Sequence, residues 1–305
     1  LSAQRSILLI FFAYLHKKMK YVLITGSSTG IGYTSAKYLL AEGFFVFGSV
    51  RKSSDAKKLE NDFGENFKAL IFDVIDDTAI KNAVPIVEEI IGENGLAGLV
   101  NNAGIAVSGP MQNVTTEQLR YQLDVNFLGV HRVTSAFLPL LGATENCNHE
   151  PGRIIQISSI NGIISPPFTG PYAASKFALE AMSDALRREL VLFGIKVVII
   201  QPGPIKTPIW SKALSDEAAN YADTPYARIL SKRAKSLKKI EAAAIPAEEV
   251  AKIVHQGITS KNPKTRYLVA KKSWQYKIFR MLPDKWLDNA TTKAMKKYSF
   301  YKPKK

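Results

Sequence analysis

The strongest constraint on this chain is an alternation that begins at Lys20. Apolar runs rich in β-branched and aromatic residues are YVLIT (21–25), FFVFGSV (44–50), FKALIFDV (67–74), GLVNN (98–102), RIIQIS (153–158) and KVVIIQP (196–202). Segments with helical spacing separate them. Helices are predicted over Gly30–Glu42, Asp76–Ile91, Thr115–Leu141 and from about Tyr172 to Phe193, where Gly194 ends the last. Strands that are apolar along their whole length are buried on both faces, as in a parallel sheet covered by helices on either side. Right-handed crossovers then predict an α/β fold with one doubly wound parallel sheet, its ligands beyond the carboxyl ends of the strands. No repeat or linker divides the 305 residues. GATENCNHEPG (142–152) reads as a surface loop, and 204–240 as a less regular helical flap.

The first strand runs directly into TGSSTGIG, Thr25–Gly32, and then into a helix. Glycines at 26, 30 and 32 permit a tight turn, a close approach of pyrophosphate, and packing of helix on strand. The helix N-terminus then offers N–H groups to phosphate charge. A dinucleotide is the expected ligand, and a single Rossmann-type domain the expected scaffold.

The spacing T-G-x-x-x-G-I-G is followed in order by NNAG (101–104), the Ser158–Ser159 pair, YAASK (172–176) and PGPIKT (202–207). With these blocks the chain resembles the short-chain dehydrogenase/reductase family, firmly over residues 20–210 and loosely over 245–270. The resemblance implies a cofactor site at Gly26, Ser28, Gly30, Ile31 and Gly32. Asp73 and Val74 would meet the adenine, and Asn102, Ala103 and Gly104 would pass beneath the adenosine side. Tyr172, Lys176, Pro202, Gly203 and Thr207 would surround the nicotinamide, Thr207 holding its carboxamide. Members that select NAD carry an acid at the end of the second strand. That position here is Val50, followed by Arg51. A guanidinium there suits the 2′-phosphate of NADP. NADP(H) is the expected cofactor and NAD(H) the alternative, under which Arg51 and Lys52 are a solvated strand end. Thr29 is not the basic residue that some NADP-preferring members place inside the glycine loop.

Moving a hydride onto a ketone requires an acid for the forming alkoxide, and the reverse reaction requires a base. A phenol, with an ordinary pKa of about 10, serves if a nearby cation stabilises its anion. Tyr172 and Lys176 share a helix face, four residues and about 6 Å of rise apart. The Y-x-x-x-K spelling alone is uninformative, because the chain contains it six times: Tyr14/Lys18, Tyr33/Lys37, Tyr172/Lys176, Tyr267/Lys271, Tyr298/Lys302 and Tyr301/Lys305. What separates Tyr172 is the serine-bearing strand end just upstream. By resemblance Ser159, thirteen residues earlier, hydrogen-bonds the substrate oxygen, with Ser158 the alternative. Asn126 would anchor a water passing protons to Lys176.

The expected activity is therefore NADP(H)-dependent interconversion of a lipophilic ketone and a secondary alcohol of steroid, retinoid or acyl type, with Tyr172 as general acid/base. Ile163, Ile164, Phe168 and Trp210 would line the substrate end, or else are ordinary core. An NAD-dependent dehydrogenase of the same family is one alternative. A non-catalytic, nucleotide-sensing or membrane-associated relative is another, disfavoured because Asn126, Ser159, Tyr172 and Lys176 are all present. An epimerase or dehydratase of the extended branch is disfavoured by the glycine spacing and the chain length.

One cysteine, Cys147, and four scattered histidines give no disulfide and no metal-ligand spacing. The reducing compartment this favours makes the cytoplasm the expected location, with peripheral membrane contact open. Residues 261–305 hold 14 Lys/Arg against two acids, +12 of the net +15. No nucleic-acid-binding module is legible, so nucleic acid is not an expected partner. The tail 271–305 interleaves lysines with Trp274, Ile278, Met281 and Trp286. It reads either as a helix covering the body or as an interfacial segment facing anionic lipid. Residues 1–18, with SILLIFFAYL too short to span a bilayer, are either upstream of the fold or a membrane-dipping anchor. The expected organisation is extension 1–18, catalytic domain 19–270 and basic tail 271–305. The resemblance also implies a homodimer or homotetramer.

Overall fold

The computed structural model describes residues 19–209 and 220–295. Residues 1–18 and Trp210 lie outside them. Seven parallel strands form one sheet in the order β3-β2-β1-β4-β5-β6-β7. They are β1 (Lys20–Ile24), β2 (Phe44–Val50), β3 (Phe67–Ile71), β4 (Leu96–Asn101), β5 (Arg153–Ile157), β6 (Lys196–Pro202) and β7 (Arg266–Val269).

Strand alternation sorts the side chains between two cores. Along β1, Val22 and Ile24 enter one and Leu23 the other, all three fully buried. The first core is closed by α1 (Gly30–Ala41) and α2 (Ser53–Phe63) through Ala36, Leu39, Ala56 and Leu59. The second is closed by α3 (Asp77–Ile91), which buries Ile80, Ala83, Val87 and Ile91. Beyond α4 (Thr116–Leu123) and a π-helical turn (Asp124–Leu128), α5 (Gly129–Phe137) adds Val133 and Phe137 to that core. The long helix α6 (Gly170–Glu189) follows β5, and α7 (Ala227–Ala242) and α8 (Ala247–Thr259) follow β6. Val250, Val254 and Ile258 of α8 complete the first core. The chain ends, within the described residues, in α9 (Ser273–Met281) and α10 (Asp284–Met295).

The strand order reverses at β1, which lies between β2 and β4. At such a switch point the loops leaving adjacent strands diverge to opposite sides and open a crevice beyond the carboxyl ends. The expected flap over 204–240 contains a regular helix, α7. The apolar run 67–74 leaves the ladder after Ile71, freeing Phe72, Asp73 and Val74 to wall the crevice.

Candidate active site

The crevice is a cleft of ≈ 1060 Å³, at the upper end of the roughly 300–1,000 Å³ usual for single small-molecule sites. Its floor at one end is the loop between β1 and α1. Gly26 has φ +66°, and a β-carbon there would lie 3.0 Å from Ala103 Cα, so only glycine makes this turn. The loop is pinned from three sides. Thr25 Oγ1 accepts the N–H groups of Asn102 and Ala103, both at 2.9 Å. Asn102 Nδ2 donates to the carbonyls of Thr25 (2.8 Å) and Gly26 (3.0 Å). Gly26 N–H donates to Ser49 Oγ at 3.1 Å. The side chain of Asn102 thus organises the loop, while the first turn of α1, with Gly30 and Ile31, faces the cleft.

Of the cofactor positions implied by the sequence, Gly26, Ser28, Gly30, Ile31, Arg51, Asp73, Val74, Asn102, Ala103, Gly104, Pro202, Gly203 and Thr207 all line this cleft, as do Tyr172 and Lys176. Gly32 does not; it is buried beneath the loop, where a β-carbon would stand 2.5 Å from Asn102 Nδ2. Thr207 crosses above Gly30, its Cγ2 3.2 Å from where that residue's β-carbon would be. Arg51 is exposed at the rim, 3.8 Å from Asp73. Lys52 and Lys58 stand on the same rim. Lys58 is not anticipated from the sequence because α2 is not, although Ala56, Leu59 and Phe63 fall at helical spacing. A large cleft with a left-handed glycine turn, a free helix N-terminus and three rim cations fits a phosphorylated dinucleotide.

The other half of the cleft gathers the proton-handling groups. Tyr172 enters with the first turn of α6 and is buried. Ser159, at the end of β5, hydrogen-bonds its phenol. It also accepts the Asn161 N–H at 3.1 Å. Ser158 lines the cleft too, but its hydroxyl is buried without a partner among the described residues. Lys176 lies one turn along α6. Its Nζ donates to the Ile157 carbonyl at 2.8 Å and stands 5.7 Å from the Tyr172 ring centroid. Burial pushes the phenol up to about 12, the Ser159 hydrogen bond pulling the other way. Burial pushes the Lys176 ammonium down to about 8, opposed by the carboxylate of Glu180. The sequence predicts that the lysine lowers the phenol; in the folded chain desolvation dominates both groups.

Glu180 belongs to a buried polar chain behind the site that the sequence did not reveal. It accepts Gln201 Nε2 at 3.0 Å and Arg266 Nε at 3.0 Å, and Arg266 also pairs with Asp184 at 2.9 Å. Asn126 sits in the π-helical turn, fully buried. Its Oδ1 accepts Ile105 N–H (2.9 Å), and its Nδ2 donates to Ile105 carbonyl (3.0 Å) and Ser175 Oγ (3.2 Å). It therefore ties the loop after β4 to α6 through Ser175, the neighbour of Lys176.

The substrate end is roofed by α7, which contributes Arg233, Leu237 and Ile240, and by Tyr276 of α9. Ile164, Pro166, Pro167 and Ile209 add apolar wall. Ile163 and Phe168 are not among the lining residues. Phe168, at φ +69°, instead meets the Tyr226 ring (5.9 Å) and the Arg233 guanidinium (5.8 Å), fastening roof to wall. Arg233 and Tyr276 were missed because nothing in a lysine-rich helix or a basic tail marks which residue turns inward. Among the described residues there is no cluster of metal-ligating side chains.

The sequence model of the short chain dehydrogenase family matches residues 20–218. The chain is 44% identical over 280 residues to an NADPH-dependent 3-dehydrocapnine reductase of Ornithobacterium rhinotracheale, spanning 92% of this chain and 98% of that one. It is 34% identical over 301 residues to retinol dehydrogenase 16 of Mus musculus, spanning 95% and 92%. A short-chain dehydrogenase from Streptomyces avermitilis has the same fold, with TM-score 0.72 and 23% identity over 92% of this chain and 97% of that one.

Proposed function

The chain belongs to the short chain dehydrogenase family and is an NAD(P)-dependent oxidoreductase, and from that premise we propose that it uses NADPH to reduce a lipophilic ketone to a secondary alcohol, Tyr172 giving the proton. The observation that carries this reading is the convergence of Ser159, Tyr172 and Lys176 between the glycine loop and an apolar substrate wall. NADPH when bound supplies the hydride for the carbonyl carbon. The chain's own groups do the rest. As the carbon–oxygen π pair moves onto oxygen, the Ser159 hydroxyl holds that oxygen and the Tyr172 hydroxyl delivers its proton to it. The phenolate left behind is stabilised by the Lys176 ammonium on the same helix face. Burial holds the phenol near 12, so it enters the reaction in the protonated form that a proton donor needs.

NADPH is preferred here over NADH on the three rim cations, Arg51, Lys52 and Lys58, and on the cofactor named for the reductase relative. The lipophilic substrate is supported by Ile164, Pro166, Pro167 and Leu237 and by relatives named for 3-dehydrocapnine and retinol. Replacing Tyr172 by Phe removes only the acid. Turnover of a ketone panel is expected to fall about 10²–10⁴-fold, with NADPH affinity, read by its fluorescence, unchanged. Full turnover in Tyr172→Phe would overturn the assignment.

A further inference from the structure

We propose that α9 and α10 form a docking surface for an anionic lipid bilayer, placed so that the substrate cleft opens at the membrane interface. On a helix of about 100° per residue, Trp274, Ile278 and Met281 fall within an arc of about 60°. They are 59%, 46% and 84% exposed. Tyr276 lies about 200° around the wheel from Trp274. It is half-buried and lines the cleft. One short helix therefore walls the cleft with one side and shows an apolar stripe to the outside with the other. Trp286 of α10 is a further exposed indole, at 68%.

The charge around the stripe selects its occupant. Lys271 and Lys272 precede α9 and Lys285 follows it, all exposed. The segment 261–305 carries 14 cations against two acids. Indole, aliphatic and thioether groups bracketed by ammonium groups match the boundary between acyl chains and anionic headgroups, where the apolar face enters and lysines stay with the phosphates. A nucleic acid would be met by cations on the contacting face, whereas this face is apolar. No helix among the described residues is long and apolar enough to cross a membrane. The geometry is that of a helix lying in the interface. With Tyr276 at the cleft wall, a lipophilic ketone leaving the bilayer reaches the cleft with little passage through water. This delivery half rests on the lipophilic-substrate reading above, and the docking half does not.

The full chain is sedimented with vesicles of phosphatidylcholine alone and of phosphatidylcholine mixed with phosphatidylserine. Binding to the anionic vesicles only, weakened by salt and accompanied by a blue shift of tryptophan emission, is expected. The triple variant Trp274→Ser/Ile278→Ser/Met281→Ser should lower partitioning about tenfold or more. Lys271→Ala and Lys272→Ala should each cost about fivefold. None of these residues lines the cleft, so turnover of a water-soluble ketone should be unchanged, while turnover of a ketone dissolved in anionic vesicles falls in the triple variant. Wild-type protein that ignores anionic vesicles, or a triple variant that binds them equally, overturns docking. A triple variant whose lipid-free mass in solution changes while vesicle binding persists assigns the stripe to a second copy, which also overturns it. Equal loss on both ketones, or on neither, overturns delivery. Wild-type protein inert toward every ketone counts against the proposed reaction and leaves vesicle binding to decide docking.

Discussion

Tyr172 and Lys176 are pushed in opposite directions, up to about 12 and down to about 8, by the same cause. Each is buried, and burial favours whichever form is neutral. Partners moderate this: Ser159 favours the phenolate and Glu180 the ammonium. Arg51 is the contrasting case, a charge left exposed at the cleft rim, its guanidinium 3.8 Å from the Asp73 carboxylate. A charge-assisted bidentate bond to a 2′-phosphate is worth about 1.5–3 kcal/mol. Arg51→Asp is therefore expected to cut the NADPH/NADH ratio of kcat/KM by about 10²-fold or more, loss of attraction and new repulsion adding. The same ratio in wild type and variant would remove Arg51 from the cofactor site.

At the scale of elements, amphipathic packing outweighed local irregularity. Helix α3 runs through Pro85, which removes a backbone donor in its interior. Burial of Ile80, Ala83, Val87 and Ile91 on the sheet holds it straight enough to read as one helix, as its spacing predicts. The glycine loop is an element whose geometry depends on missing side chains. Gly32 is set against Asn102, the side chain that also bonds the Thr25 and Gly26 carbonyls. Gly32→Ala must displace both the Gly26 carbonyl and that amide, so a stability loss of about 1–3 kcal/mol is expected, with weaker NADPH binding as the loop shifts. Urea unfolding and cofactor titration measure the two effects. The element without a strong pattern escaped the sequence: β7 is only four residues long, whereas α7 was legible as part of a helical flap.

For the molecule as a whole, the buried ammonium links stability to pH. Lys176 moves from an ordinary 10.5 to about 8 on folding. Below pH 8 both states hold the proton, and the folded state bears the full cost of the buried charge, about 3 kcal/mol. Between 8 and 10.5 the unfolded chain binds more proton, so stability rises with pH in that window. Lys176→Met lacks this titration. Its unfolding free energy relative to wild type should decline by about that amount as pH is raised across the window, in urea melts; a constant difference would contradict the buried ammonium. Tyr172 is present in both proteins and cancels.

The sequence by itself determined the sheet, β1 to β6, the dinucleotide-type glycine turn and the order of the site blocks. These follow from periodicity and backbone chemistry, which are local. The serine-bearing strand end upstream already sets Tyr172 apart in the sequence, and the tertiary structure adds what the tyrosines of other pairs do instead. Tyr33 packs its ring on Phe63, at 5.0 Å, and the Tyr267 hydroxyl oxygen accepts the Lys264 N–H, at 3.0 Å. Tyr172 alone of these three meets a serine across the cleft. Three further pairs lie outside the described residues. The chain from Lys176 through Glu180 to Arg266 and the inward turn of Arg233 and Tyr276 were decided by folding. Each joins residues that lie far apart along the chain or on unmarked helix faces. Their meeting depends on how crossovers stack helices on the sheet, and no local pattern encodes that.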